Sequence, residues 1–381
     1  MKIPFNKIYL TGNEINLIEK AFSMESVSGD GFFTSKVTSL IEEKFSIPKA
    51  FMMTSATHAL DMAMMLIDLG PKDEVIMPSF TFPSTANSVI LQGAKPVFAE
   101  ILPTTLNIDP GDIERKITKN TKAIVPVHYG GIGCEMDRII DISKRYNIYI
   151  IEDAAQGVNA KYKDKFLGAW GHLACYSFHG TKNYISGEGG ALLINSKDKE
   201  LIERAEIIRQ KGTNRSKFLK GKVDKYSWVD KGSSYTPSDI LMAVLYGQLK
   251  HLDIIKKKRE NIVKHYIKGL HKYLESGVLN GMTSLEDNRD SNYHLFYILL
   301  DNETIRNEVI YKLKKCGIYA RTHFEPLHSS LKGQTLGYNL GDFKVTEKVG
   351  KTLLRLPLYT DMTIEEVNYV IYHLDKILKE L

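Results

Sequence analysis

The chain has little of what disulfide, metal or membrane chemistry requires. Its three cysteines, Cys134, Cys175 and Cys316, stand far apart and form no CxxC pair. Neither a disulfide framework nor a zinc site is expected from them. There is no HExxH, and His323 and His328 are wrongly spaced for a shared helical metal site, so no metal is expected. No apolar run reaches the roughly 18 residues of a membrane helix. The opening MKIPFNKIYLTG lacks the apolar core of a signal peptide, so a cytoplasmic enzyme is the expectation. Charge of one sign is not in large excess: 51 basic against 45 acidic residues leave +6, which calls for no nucleic-acid partner. YGGIGCE (129–135) is glycine-rich, but it lacks the third glycine of a dinucleotide fingerprint and is not the first strand–helix turn. An NAD enzyme is not expected on that ground.

What remains is an ordinary globular composition, 43% hydrophobic and 25% charged, over 381 residues. That length suits one large and one small domain. Apolar side chains recur at helical spacing over 58–69. EVIMP (74–78), KPVFAEI (95–101), KAIVPVH (122–128), IYIIED (148–153), LACYSFH (173–179) and GGALLIN (189–195) read as short strands. Helices are expected over 84–93, 110–117, 135–146 and 198–212. Strands alternating with helices predict parallel βαβ units and an α/β sheet. One long helix is expected over 238–269. HLFYILL (294–300), a helix over 302–316, the segment 318–324 and a final helix over 363–381 predict a small α+β unit.

The chemistry gathers between 153 and 190. Asp153 ends one apolar strand, and Lys182 lies three residues past another. Ligands of open α/β sheets bind outside the carboxyl ends of strands, so the two can meet at one edge. A lysine amine can form an imine with pyridoxal phosphate (PLP), and a carboxylate beside the ring nitrogen keeps that nitrogen protonated. Gln156, three residues on from Asp153, is placed to hydrogen-bond the ring's phenolic oxygen or to cover the ring. Taken singly, such an Asp also reads as a turn or cap residue, such a Lys as a solvated one, and GEGG (187–190) as a plain turn.

The wording is more specific than the spacing. EDAAQG, then G-x-x-G, then SFHGTKN and GEGGA resemble the DegT/DnrJ/StrS sugar aminotransferases. The resemblance spans nearly the whole chain, through GDGFFT (29–34), MTSATHALDMA (53–63), PSFTFPSTANS (78–88), VPVHYGG (125–131), RTHFEPLH (321–328) and LRLPLY (354–359). It implies the aspartate-aminotransferase (type I) fold, with a large, mostly parallel domain over 1–250 and a small α+β domain over 251–381. It also implies a homodimer with its active site at the subunit interface and PLP as cofactor. Residue by residue it implies that Lys182 carries the cofactor as a Schiff base and Asp153 pairs with the ring nitrogen. Gln156 would contact the ring oxygen, Phe82 would stack on the ring, and Ala56, Thr57 and Ser177 would bind the phosphate. His323 would line the sugar site. Read alone, Thr57 is also a helix cap, Phe82 a core residue and His323 a structural histidine. Lys182 argues against the related dehydratases, which have His there, and the Lys/Asp/Gln set argues against a non-catalytic PLP-binding regulator.

RAEIIRQKGTNRSKF, G-x-VDKYSW and GSSY further resemble the subgroup that converts TDP-4-keto-6-deoxy-D-glucose to TDP-4-amino-4,6-dideoxy-D-galactose with L-glutamate, releasing 2-oxoglutarate. That reaction feeds enterobacterial common antigen and related glycans. Lys211, Arg215, Lys217, Lys220 and Lys222 make a basic loop that suits a nucleotide diphosphate or is simply solvated. One departure stands out. Where many relatives have Asn in Y-N-x-T-D, reaching the partner's cofactor phosphate, this chain has Thr236 in Tyr235-Thr236-Pro237-Ser238-Asp239.

Overall fold

A computed structural model of the chain describes residues 1–24, 27–286 and 288–380. A sheet of seven strands forms the larger core. Its strands are β1 (Lys49–Met53), β2 (Glu74–Pro78), β3 (Lys95–Ala99), β4 (Thr121–Ile124), β5 (Tyr149–Asp153), β8 (Leu173–Ser177) and β9 (Gly190–Ile194). The two-residue strands β6 (Lys161–Tyr162) and β7 (Lys165–Phe166) form a hairpin between β5 and β8, and β11 (Arg289–Asp290) pairs with β6 to complete a separate small sheet in the order β11-β6-β7. The order in the large sheet is β1-β9-β8-β5-β4-β2-β3. From β3 to β8 all pairings are parallel, while β9 runs antiparallel to both its neighbours.

Successive residues of these strands point to opposite faces, and both faces are covered. Ile76, Ile124, Ile150 and Leu193 enter one hydrophobic cluster, and Val75, Ala123, Ile151 and Leu192 enter the other. Helices α1 (Glu14–Phe22), α2 (Phe32–Phe45), α3 (Ala56–Leu66), α4 (Pro83–Ile90), α5 (Pro110–Lys116), α6 (Met136–Tyr146), α7 (Lys199–Arg209), α8 (Arg215–Leu219) and α9 (Asp239–Leu249) belong to this part of the chain. A third cluster gathers Ile262, Tyr266, Phe296, Ile298, Leu354 and Leu374, and the N-terminal Ile3 packs into it. It is built from α10 (Leu252–Glu275), α11 (Glu303–Lys315), α14 (Ile364–Leu378) and a small antiparallel sheet, with the shorter α12 (Leu331–Thr335) and α13 (Lys344–Thr352) lying between α11 and α14 along the chain. That sheet has the strands β10 (Gly281–Met282), β12 (Tyr297–Leu299) and β13 (Leu353–Arg355). No helix among the described residues is long and apolar enough to cross a membrane.

The strands expected within 74–195 all form, with ends shifted by a few residues. One expectation fails, and one strand was missed. The single helix over 238–269 is two, α9 and α10, which break at Lys250-His251. No Gly or Pro marks the break; α9 packs on α1 and α2, and α10 on α14. Strand β1 was not expected, because its five residues carry no periodicity that separates strand from helix. The segment 318–324 forms no strand; its Arg321 makes only an isolated bridge with Arg355.

Two buried carboxylates tie distant segments together. Asp239 caps α2 from 205 residues away, accepting from Phe33 N at 2.9 Å and from Thr34 N and Oγ1 at 2.7 Å. Gly31 stands at that cap, where a Cβ would lie 2.6 Å from Asp239 Cγ. Glu152, fully buried, accepts from Gly168 N (2.8 Å), Trp170 N (2.7 Å) and Gly171 N (2.6 Å), which fixes the G-x-x-G turn after β5. It also bonds His128 Nε2 at 2.9 Å. His128 Nδ1 accepts from Cys134 N at 3.1 Å, so the ring's proton sits on Nε2 and is donated to Glu152. Removing one partner of such a set strands the others. Glu152→Gln is expected to lower unfolding stability by about 3 kcal/mol, read from the denaturant midpoint. An unchanged midpoint would contradict the anchoring role.

Candidate active site

The carboxyl ends of β5 and β8 and the amino end of α3 open into a cavity of about 590 Å³. Lys182, Asp153, Gln156, Ser177, Ala56, Thr57, Phe82 and His323 all line it. Arg215, exposed at the start of α8, lies outside the cavity of its own chain. In its loop, Lys217 pairs with Glu203, and Lys220 with Glu206 at 3.3 Å.

Asp153 is the last residue of β5 and is 6% exposed. Its carboxylate accepts from Thr85 Oγ1 at 2.8 Å and Ala155 N at 3.2 Å, with the Cys175 thiol at 3.7 Å. It makes no ion pair among the described residues. A buried carboxylate held by neutral donors is suited to a cationic partner. Cys175 is kept a thiol, because burial and the adjacent Asp153 push its pKa well up. Lys182 follows β8 through a turn closed by its own N–H on the His179 carbonyl at 2.9 Å. Its amine has no hydrogen bond or ion pair among the described residues. Burial lowers its pKa and Arg355 adds to the effect, while Asp153 and Cys175 oppose it. The amine is therefore more readily neutral, and so nucleophilic, than a surface lysine.

The rest of the wall suits a flat phosphorylated ring. Helix α3 starts at Ala56, with Ser55 capping it through His58 N at 3.1 Å. The first-turn amides have no intrahelical acceptor and favour an anion. Gly190 lets the helix end approach β9: a Cβ there would lie 2.4 Å from Ala56 N. Thr57 Oγ1 meets Ser84 Oγ at 2.7 Å, and Ser177 stands at the end of β8. Phe82, 58% exposed, is held extended by the following Pro83 at the head of α4. Gln156 accepts from Gly130 N through Oε1 at 2.7 Å, which leaves its amide N–H groups to a ligand. Gly130 and Gly131 make this turn with φ of +65° and +78°. At Gly131 a Cβ would also strike the Asn292 amide.

Several groups here were not read from the sequence. Thr85 orients Asp153 from the first turn of α4, and nothing in its local sequence marks it. His294 and Asn6 line the cavity. So do two arginines without a carboxylate partner among the described residues. Arg259 bonds the Tyr293 and His294 carbonyls at 2.9 and 2.7 Å, and Arg355 bonds only the Thr322 carbonyl, at 3.1 and 3.0 Å. Arg355 sits in the LRLPLY segment that carried the resemblance, but its charge became informative only once the cavity was seen.

A nucleophilic amine, a carboxylate awaiting a cation, an anion-binding helix end and a free aromatic face complement PLP at four separate points. The protein is thus a PLP-dependent enzyme of the type I fold. More narrowly, residues 10–375 match the DegT/DnrJ/EryC1/StrS aminotransferase family, and the chain belongs to it. It is 35% identical over 356 residues to an uncharacterised protein of Methanocaldococcus jannaschii, covering 91% of this chain and 90% of that one. It is 32% identical to the GDP-perosamine synthase of Caulobacter vibrioides, over 97% and 96% of the two chains. The structure superposes on a sugar aminotransferase of Streptococcus pneumoniae in its PLP form with a TM-score of 0.92, at 25% identity over 100% and 99% of the chains. That protein is also solved in its PMP form.

Two outcomes follow from the geometry. Thr85→Val removes a donor to Asp153 and is expected to weaken PLP binding about tenfold, or about 1.4 kcal/mol, in a titration of cofactor-free protein. Unaltered affinity would show that Asp153 needs no such support. Lys182 has a depressed pKa, so the pH midpoint for its reaction with PLP lies below that of an ordinary lysine. Arg355→Met removes a like charge, lets the pKa climb, and moves that midpoint upward in absorbance-monitored reconstitution. A downward shift would reverse the assigned sign.

Proposed function

We propose that the enzyme moves the amino group of L-glutamate to the C4 ketone of a nucleotide-linked 4-keto-6-deoxy sugar. The substrate is TDP-4-keto-6-deoxy-D-glucose and the product TDP-4-amino-4,6-dideoxy-D-galactose. The observation that carries the transamination is the convergence of Lys182 and Asp153 on one cavity with a phosphate-binding helix end. The sugar rests on the segment 204–235, whose wording follows the subgroup that aminates at C4. A GDP-linked 4-keto sugar is the second reading, favoured by the likeness to GDP-perosamine synthase.

Bound PLP supplies an electron sink and stores the amino group between the two half-reactions. Asp153, held by Thr85 and Ala155, keeps a proton on the ring nitrogen. Ala56, Thr57 and Ser177 hold the phosphate, Phe82 covers the ring, and Gln156 donates to the ring oxygen. Lys182 Nζ takes a proton from the α-carbon of glutamate and later delivers one to C4 of the sugar, so one amine serves as base and acid. Arg355, with no carboxylate of its own, suits a carboxylate of the donor. Release of 2-oxoglutarate before the sugar reacts implies ping-pong kinetics. The exposed loop with Arg215 meets the sugar's diphosphate in the cavity of a second copy, and Thr236 stands in that dimer where relatives carry Asn.

Incubation with L-[15N]glutamate and a panel of TDP-, UDP- and GDP-linked keto sugars tests the reading, with NMR of the products. The expected result is 15N at C4 of the TDP sugar, with inverted preference if the GDP reading holds. A PLP-loaded protein that aminates none of the panel would contradict both. Lys182→Ala is expected to lower turnover by at least ~10²–10⁴-fold. Arg355→Met is expected to raise the KM for glutamate about tenfold or more while leaving that for the sugar within twofold. Equal effects on both substrates would remove Arg355 from donor recognition.

A further inference from the structure

Three histidines line the cavity. His179 keeps its Nδ1 with Thr181 Oγ1 in its own turn at 2.8 Å, and each of the other two commits its Nδ1 to a different kind of partner. His294 Nδ1 lies 2.9 Å from Asn183 Oδ1. The Asn183 amide nitrogen donates to the Asn292 carbonyl at 2.8 Å, which is why its oxygen faces the histidine. An amide oxygen only accepts, so His294 carries its proton on Nδ1 and leaves a bare lone pair on Nε2.

His323 is the opposite case. Its Nδ1 lies 2.6 Å from the hydroxyl of Tyr129, a buried residue whose hydroxyl has no other partner among the described residues. Were that hydroxyl to accept from His323, its own hydrogen would be stranded in the core, which is costly. It donates instead, and His323 carries its proton on Nε2. Burial, with the charges of Arg355 and Lys182, holds the His323 pKa well below the ordinary value. Burial, Lys182 and Arg259 do the same for His294. Each ring is therefore neutral, with a single N–H. The His323 ring is also stacked on Phe324, centroids 3.7 Å apart. Neither Nε2 has a partner among the described residues.

We propose that Tyr129 and Asn183 are positioning residues that lock these histidines in opposite tautomers, giving the cavity a fixed donor at His323 Nε2 and a fixed acceptor at His294 Nε2. The substrate reading rests on the proposed keto sugar. The donor takes the ketone oxygen, which can only accept, and the acceptor takes the hydrogen of a nearby hydroxyl. Tyr129 does this from the turn in which the Gly130 amide holds Gln156 at 2.7 Å. One short segment thus sets the group at the cofactor's ring oxygen and the group that meets the sugar.

Neutron diffraction from a deuterated crystal of the PLP-loaded protein tests the locking directly. The expected deuterium positions are Tyr129 Oη, His323 Nε2 and His294 Nδ1. Deuterium on His323 Nδ1 or on His294 Nε2 would overturn the proposal. A kinetic arm separates recognition from mere structure. Tyr129→Phe is expected to lower kcat/KM of the sugar half-reaction about tenfold while the glutamate half-reaction stays within twofold. Equal slowing of both halves would overturn the role in sugar recognition. The deuterium positions decide the tautomers whether or not the sugar assignment stands.

Discussion

The site is organised around a buried negative charge that the chain does not neutralise. Asp153 ends the middle strand of the large sheet, accepts from Thr85 and Ala155, and meets no cation within ion-pairing distance among the described residues. A carboxylate in that position is costly unless something positive arrives. In the proposed reading the protonated ring nitrogen of PLP is that partner, and the sheet, helix α4 and the turn after β5 hold the carboxylate in place. The adjacent Glu152 faces the other way and binds the G-x-x-G turn. Two consecutive acids on one strand thus face different surroundings, Glu152 the turn and Asp153 the cavity.

Apart from Glu188 at the rim, the other charged groups of the cavity are positive. Lys182, Arg259 and Arg355 enter it without carboxylate partners among the described residues, and their charges add to burial in keeping His294 and His323 neutral. Such a field favours anionic ligands, a phosphorylated cofactor among them, and together with burial it makes the Lys182 amine more readily neutral. The mild excess of basic residues offered no hint of this concentration, because a net charge over the whole chain does not say where charges meet.

Much of the large sheet was legible, since short apolar runs alternating with amphipathic helices have few other interpretations. Lys182 and Asp153 were legible through position, each just past an apolar strand, and through wording, in EDAAQG and SFHGTKN. What was not legible is contact across long sequence distance. Asp239 capping α2, Thr85 orienting Asp153, and Tyr129 meeting His323 join residues that local periodicity treats as unrelated. The break at Lys250-His251 was hidden for a similar reason: it is imposed by the different surfaces on which α9 and α10 pack, not by a helix-breaking residue.

The central claim is that Lys182 is the residue to which PLP is joined. Borohydride reduction of the PLP-loaded protein, followed by proteolysis and peptide mass mapping, tests it most directly. The account predicts a pyridoxyl-phosphate adduct on the peptide containing Lys182 and on no other. An adduct on a different lysine, or none on a protein that retains bound cofactor, would contradict it.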